Sequence, residues 1–156
     1  MKDIVLEIFA DQYLEKYIKW LNKDYIKKWF GNPEDWIHEI KNKNNEFKFI
    51  KHYVVKVENN EIGFYQYYDC YYTQEEWYKI DEVNKIYSID YLIGEEIYLN
   101  MDYGKMIVEK LIEKIKEING KTIIVQPELE NKASTGVLLA NGFIYDKEKV
   151  YFYKNL

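Results

Sequence analysis

Asp90 stands inside an apolar and aromatic run, Tyr87-Ser88-Ile89-Asp90-Tyr91-Leu92-Ile93. A carboxylate in a buried strand is costly unless a cation or a cavity faces it. In a pocket it can hold an ammonium group and accept its proton. The plain alternative is a strand residue facing solvent. A second feature is the strand-to-helix turn from Ile97 to Lys105, which contains Gly104. Such a turn presents unpaired N–H groups and the positive end of a helix dipole, which together bind phosphate without basic side chains. Most turns of this kind only connect elements, and one glycine is weak evidence. The third feature is Asn131-Lys132-Ala133-Ser134, opening a helix that stops at Ala140-Asn141-Gly142-Phe143. Asn131 is a good N-cap, and Asn141-Gly142 is an ordinary helix stop.

The elements that must position these residues follow from periodicity and punctuation. Ile4 to Phe9 reads as a first strand. After Asp11, a plausible N-cap, Tyr13, Leu14, Tyr17, Ile18 and Leu21 recur at helical spacing. A short helix from Asp24 to Phe30 ends at Gly31-Asn32-Pro33, and Pro33 starts another through Trp36, Ile37 and Ile40. Phe49 to Glu58 and Ile62 to Cys70 read as a hairpin turned at Asn59-Asn60. A polar stretch, Thr73 to Asn84, leads to a strand from Lys85 to Ile93. Tyr103 to Ile118 is cleanly helical and stops at Asn119-Gly120. Strand Thr122 to Gln126, helix Lys132 to Ala140, and strands around Phe143-Tyr145 and Val150-Tyr153 complete the chain. An antiparallel meander followed by alternating strands and helices implies a mixed α/β sheet covered by helices.

Length and composition bound the function. The 156 residues suit a single domain, 1–156, with 47% hydrophobic and 31% charged residues. No apolar run is long enough to span a bilayer, and the N-terminus lacks the pattern of a secretory signal. Cys70 is the only cysteine, so no internal disulfide forms and a cytoplasmic setting is the default expectation. All 22 basic residues are lysine, which argues against nucleic-acid recognition, where arginine is the usual reader. The net charge of −5 favours a cationic substrate, although an AT-rich coding sequence gives the same lysine, asparagine, isoleucine and tyrosine bias. No metal site is expected.

Four strings together resemble the GNAT superfamily of N-acetyltransferases, and within it the aminoglycoside 6′-N-acetyltransferases. They are Ile62-Gly63-Phe64-Tyr65-Gln66-Tyr67-Tyr68, Ser88-Ile89-Asp90, the turn ending Tyr103-Gly104, and Asn131 through Asn141-Gly142-Phe143. The similarity covers about two-thirds of the chain, from the hairpin to Phe143; the N-terminal helices match only in outline. It implies a GNAT-type mixed, mostly antiparallel sheet with a splayed cofactor cleft, flanked by helices. Acetyl-CoA would lay its pantetheine against the backbone of Leu92, Ile93 and Gly94. Its pyrophosphate would sit on the N–H groups of Asn100, Met101, Asp102, Tyr103, Gly104 and Lys105, with Asn131 touching its arm. Asp90 would anchor the substrate amine and accept its proton, in a pocket shared with Tyr68, Trp77 and the position of Gln126. Strand-edge donors would stabilise the oxyanion, without a covalent enzyme intermediate. A homodimer is a family tendency.

The sequence departs from the family pattern at three places. The cofactor turn usually reads Gln/Arg-x-x-Gly-x-Gly, where this chain has Leu99-Asn100-Met101-Asp102-Tyr103-Gly104. A carboxylate at Asp102 opposes a pyrophosphate, or acts as an N-cap in its place. Leu138 stands where many members place a tyrosine general acid, and a CoA thiol is a tolerable leaving group without one. Gln126 replaces an acidic contact; Glu128 and Glu130 nearby read as solvated turn residues. Ordinary packing is the alternative for Tyr68 and Trp77. Cys70 reads as strand-end packing, and His38 and His52 as satisfied surface or strand histidines. The expected function is acetyl transfer from acetyl-CoA to a primary amine of a small, polycationic, aminoglycoside-like molecule, with which antibiotic resistance would be consistent. A polyamine or amino-acid amine is the variant within that chemistry. A non-catalytic acyl-CoA-binding or regulatory domain is the alternative outside it.

Overall fold

The computed structural model describes residues 2–156. Seven strands form one sheet in the order β1-β2-β3-β4-β5-β7-β6: β1 Val5–Ile8, β2 Ile50–Val57, β3 Asn60–Asp69, β4 Ile86–Ile93, β5 Thr122–Val125, β6 Ile144–Asp146 and β7 Tyr151–Asn155. Five α-helices accompany them: α1 Leu14–Leu21, α2 Asp24–Phe30, α3 Pro33–Lys41, α4 Tyr103–Glu117 and α5 Lys132–Ala140. The mixed, mostly antiparallel α/β architecture is the expected one. The chain divides into two compact units, one reaching to Gln66 and including Tyr91–Tyr103, the other made of Tyr67–Asp90 and Gly104–Leu156.

In the first unit β1 pairs antiparallel with β2 (Val5 with Lys56 through Ile8 with Tyr53). The helical stripes of α1 to α3 drop Tyr17, Trp20, Leu21, Ile26, Ile37 and Ile40 onto Val54, Phe64 and Leu92. Tyr17 stacks on Phe64 at 4.3 Å between ring centroids. Two glycines let the end of β4 approach its neighbours. A Cβ on Gly63 would collide with the Leu92 carbonyl oxygen, and one on Gly94 with the Trp20 indole.

In the second unit β5 pairs antiparallel with β7, and β7 with β6. Helix α4 buries Ile107, Val108, Leu111 and Ile115, while β5 buries Ile123 and Ile124. The parallel ladder of β4 with β5 holds two pairs, Ile86 with Thr122 and Tyr87 with Ile123. β4 itself continues to Ile93.

α4 stops at Asn119-Gly120 as expected, with Asn119 left-handed (φ 65°). Local expectations shift in three places. Asp11 does not cap α1; it opens a 3-10 turn, and its carboxylate takes the Lys43 ammonium at 2.8 Å. The hairpin turns at Glu58-Asn59, both left-handed (φ 48° and 68°), one residue earlier than Asn59-Asn60. His52 is not a satisfied histidine: it is buried on β2, and its Nε2 has no hydrogen-bond partner among the described residues. His38 is a surface residue, with Nε2 3.1 Å from Glu46.

Burial, with Lys43 and Lys51 adding to it, pushes the His52 imidazole down from 6.5 to about 4. The unfolded chain therefore binds a proton below pH 6.5 that the folded chain refuses until about pH 4. Stability at His52 is full above pH 6.5 and falls by about 3 kcal/mol as the pH drops to 4. Urea midpoints measured from pH 7 to pH 4 should decline more steeply for the wild type than for His52→Leu. Equal slopes would remove His52 as the cause.

Candidate active site

Asp90 lies half-buried on β4, three residues beyond the last β4–β5 pair, between the buried Ile89 and the half-buried Tyr91. Alternation along the strand explains the placement: Tyr87 and Ile89 take one face, and Ser88 and Asp90 the other. The Tyr68 hydroxyl, from β3, hydrogen-bonds to Ser88. Burial holds its phenol well above the usual range, with the Asp90 charge adding to the effect. Tyr68 therefore stays protonated beside the carboxylate. Ser88 is the partner that sequence reasoning passed over; a buried hydroxyl two residues before an in-strand carboxylate was the available signal.

Around this pair the second unit arranges a sulfur and two aromatic side chains. Burial pushes the Cys70 thiol up to about 12, a little offset by a hydrogen bond with Tyr78. Tyr78, also raised to about 12 by burial, hydrogen-bonds to Thr73. Trp77 meets Tyr78 edge-on at 4.7 Å and Tyr151 at 5.8 Å. Tyr151 in turn lines a pocket of about 230 Å³ with Gln126, Glu128, Leu129, Tyr145 and Phe152. The Gln126 amide donates to the Val150 carbonyl at 2.7 Å, leaving its oxygen to accept. Tyr68 and Asp90 thus sit together, and so do Trp77 and Gln126 through Tyr151.

The backbone at Leu92-Ile93-Gly94 is already partly engaged. Gly94 donates its N–H to the Ile62 carbonyl at 2.7 Å. Tyr25 donates to the Ile93 carbonyl and Lys23 to the Gly94 carbonyl, each at 2.7 Å. The Gly94 N–H is thereby spent, and both carbonyls already accept a side-chain donor.

The turn before α4 accounts for the residues that replace the expected glycine. Asn100 and Asp102 both take left-handed φ, 59° and 64°. Asn and Asp tolerate that region best among residues with a side chain, so the turn forms without glycine at Asp102. Asn100, Met101, Asp102 and Lys105 are exposed, whereas Tyr103 and Gly104 are buried. Asn131 caps α5, its oxygen accepting from the Ser134 N–H at 3.2 Å. Its NH2 group makes no hydrogen bond among the described residues. Leu138 is buried in the core, so α5 offers no hydroxyl at that position. Among the described residues no group of three or more His, Cys, Asp or Glu could hold a metal ion, and no helix is long and apolar enough to cross a membrane.

The sequence from residue 10 to residue 150 matches the family model of the acetyltransferase (GNAT) domain. The chain belongs to that family. Its enzyme class is therefore acyltransferase, of the acetyl-CoA-dependent N-acetyltransferase kind. A comparison with curated protein sequences found no match. Among solved structures, the chain is similar to the aminoglycoside acetyltransferase AAC(6′)-Ib in complex with coenzyme A, with a TM-score of 0.80, 18% identity and coverage of 98% of this chain and 95% of that one. A domain from Methanocaldococcus jannaschii gives 0.77 at 18% identity, covering both chains fully. The aminoglycoside N(6′)acetyltransferase of Legionella pneumophila gives 0.74 at 12%, over 99% of this chain and 91% of that one. At these identities the likeness is one of fold.

The left-handed turn carries a prediction that needs no ligand. Asp102→Gly should hold or raise the melting temperature, because glycine adopts the left-handed conformation freely and the side chain lost is exposed. Asp102→Val should cost about 1–2 kcal/mol and lower it by several degrees. Equal melting temperatures for the two variants would contradict the left-handed assignment.

Proposed function

We propose that this chain transfers the acetyl group of acetyl-CoA to a primary amine of a small, polycationic, aminoglycoside-like molecule, by direct attack, with Asp90 as the residue that holds the amine and takes its proton. The observation that carries the reading is Asp90 itself: a half-buried carboxylate on β4, past the short ladder to β5, beside a phenol that stays protonated. Acetyl-CoA supplies an activated thioester. The pyrophosphate site is Asn100 to Lys105, the turn with left-handed Asn100 and Asp102 that leads into α4. The exposed Asp102 carboxylate weakens that site by Coulomb repulsion without removing its amides. Pantetheine runs along the backbone of Leu92, Ile93 and Gly94. The spare NH2 of Asn131 donates to the same arm.

The amine arrives as an ammonium and is drawn by the acidic chain. Asp90 takes one proton from it, leaving a neutral nitrogen whose lone pair forms the new C–N bond as the C–S bond breaks. The second nitrogen proton leaves to water. Leu138 brings no acid, and Tyr68 and Tyr78 hold their protons too tightly to give them up to a thiolate, so sulfur departs with its electron pair. Tyr68, Trp77 and Gln126 line the amine pocket. A polyamine or amino-acid amine would use the same chemistry. The chain acts in the cytoplasm as one domain.

The test is kinetic. Acetyl-CoA should raise the melting temperature, and thiol release should follow on adding kanamycin, spermidine or an amino-acid amide. Asp90→Asn should lower kcat/KM about 100-fold or more while leaving acetyl-CoA affinity nearly unchanged. Binding of acetyl-CoA with no thiol release from any amine would instead support an acyl-CoA-binding domain without catalysis. Full activity of Asp90→Asn would remove its role.

A further inference from the structure

Asp69 closes β3 and is buried, at 5% exposed. Its two oxygens accept from two backbone N–H groups: Oδ1 from Tyr71 at 3.0 Å, and Oδ2 from Asn84 at 2.6 Å. These donors stand at opposite ends of the segment that joins β3 to β4. That segment contains only one short regular element, the 3-10 turn Cys70–Tyr72, so no ladder fixes its course. Side chains do so instead. Gln74 donates to the carbonyls of Tyr71 and Ile80 and accepts from the Ile80 N–H, and Thr73 bonds Tyr78. What the closed segment presents is Trp77, half-buried and edge-on to Tyr151 on the wall of the Gln126 pocket.

The residue type is informative. A helix cap at Tyr71 alone is served by serine or asparagine, at no cost in buried charge. Two N–H donors on two separate oxygens need a group in which both oxygens are acceptors, and among side chains that is the carboxylate. Charge-assisted bonds to N–H groups are also the stronger kind. The burial of Asp69 therefore answers to the tie between Tyr71 and Asn84, not to the cap.

We propose that Asp69 is a positioning residue for the acetyl acceptor: by tying Asn84 to Tyr71 it closes the segment that holds Trp77 against Tyr151, and so sets one wall of the amine pocket. The proposal rests on the acetyltransferase reading above, and Asp69 acts through Trp77 without touching substrate. Steady-state kinetics at saturating acetyl-CoA, with the best acceptor among kanamycin, spermidine and an amino-acid amide, test it. Asp69→Asn keeps the shape but offers an NH2 group to one of the two donors. The amine KM should rise about tenfold, with kcat and acetyl-CoA affinity changed less than about threefold. Trp77→Ala should give a similar rise, and the double variant should be no worse than Trp77→Ala alone. An unchanged KM with only a lower melting temperature would overturn the proposal, as would multiplicative effects in the double variant. If Asp69→Asn does not fold, Asp69→Ser keeps the Tyr71 cap, loses the Asn84 arm and should show the same KM rise; failure of both to fold would make Asp69 purely structural. A wild type that binds acetyl-CoA yet acetylates none of the amines would instead defeat the functional reading, and this proposal with it.

Discussion

Two register pairs join β4 to β5, and what β4 does beyond them governs the rest of the site. The pairs end at Tyr87 and Ile123, and β4 runs on to Ile93 with Asp90 on that stretch. Alternation puts Ser88 and Asp90 on one face of β4, where the Tyr68 hydroxyl bonds Ser88. Further along, the same strand is pulled tight on its other contacts. Gly63 admits the Leu92 carbonyl, Gly94 admits the Trp20 indole, and Tyr25 and Lys23 fasten the carbonyls of Ile93 and Gly94.

The ionisable groups near Asp90 are quiet ones. Burial raises Tyr68, Tyr78 and Cys70, so two phenols and a thiol remain protonated through neutral pH. They supply hydrogen bonds and shape, and leave Asp90 as the proton acceptor proposed on β4. The thiol at Cys70 is inert for the same reason. The abundance of tyrosine, 17 residues, thus resolves into individual environments: stacked core rings such as Tyr17, a strand clamp at Tyr25, and pocket walls such as Tyr151.

Much of this was legible in the sequence because the relevant signals are local. Helical stripes, the helix start at Pro33, the Asn131 cap and the in-strand Asp90 each announce themselves within a few residues, and each stands where expected. The hairpin slipped by one residue because Glu58, Asn59 and Asn60 compete for two left-handed positions, and local chemistry alone does not rank them. Asp102 stood out in the sequence for its carboxylate, and the structure adds that its backbone is left-handed, with φ 64°. The tie from Asp69 to Asn84 spans 15 residues, and His52 lacks a partner only once the sheet surrounds it. Neither could be read locally, because both depend on what the fold brings near.

A crystal structure of the chain with coenzyme A tests the account most directly. The account predicts pyrophosphate oxygens within hydrogen-bond distance, about 3 Å, of N–H groups in the Asn100–Lys105 turn. It also predicts pantetheine against Leu92 to Gly94, with the sulfur at the Asp90 end of that stretch. Coenzyme A bound elsewhere, or a pyrophosphate turned away from that turn, would contradict it.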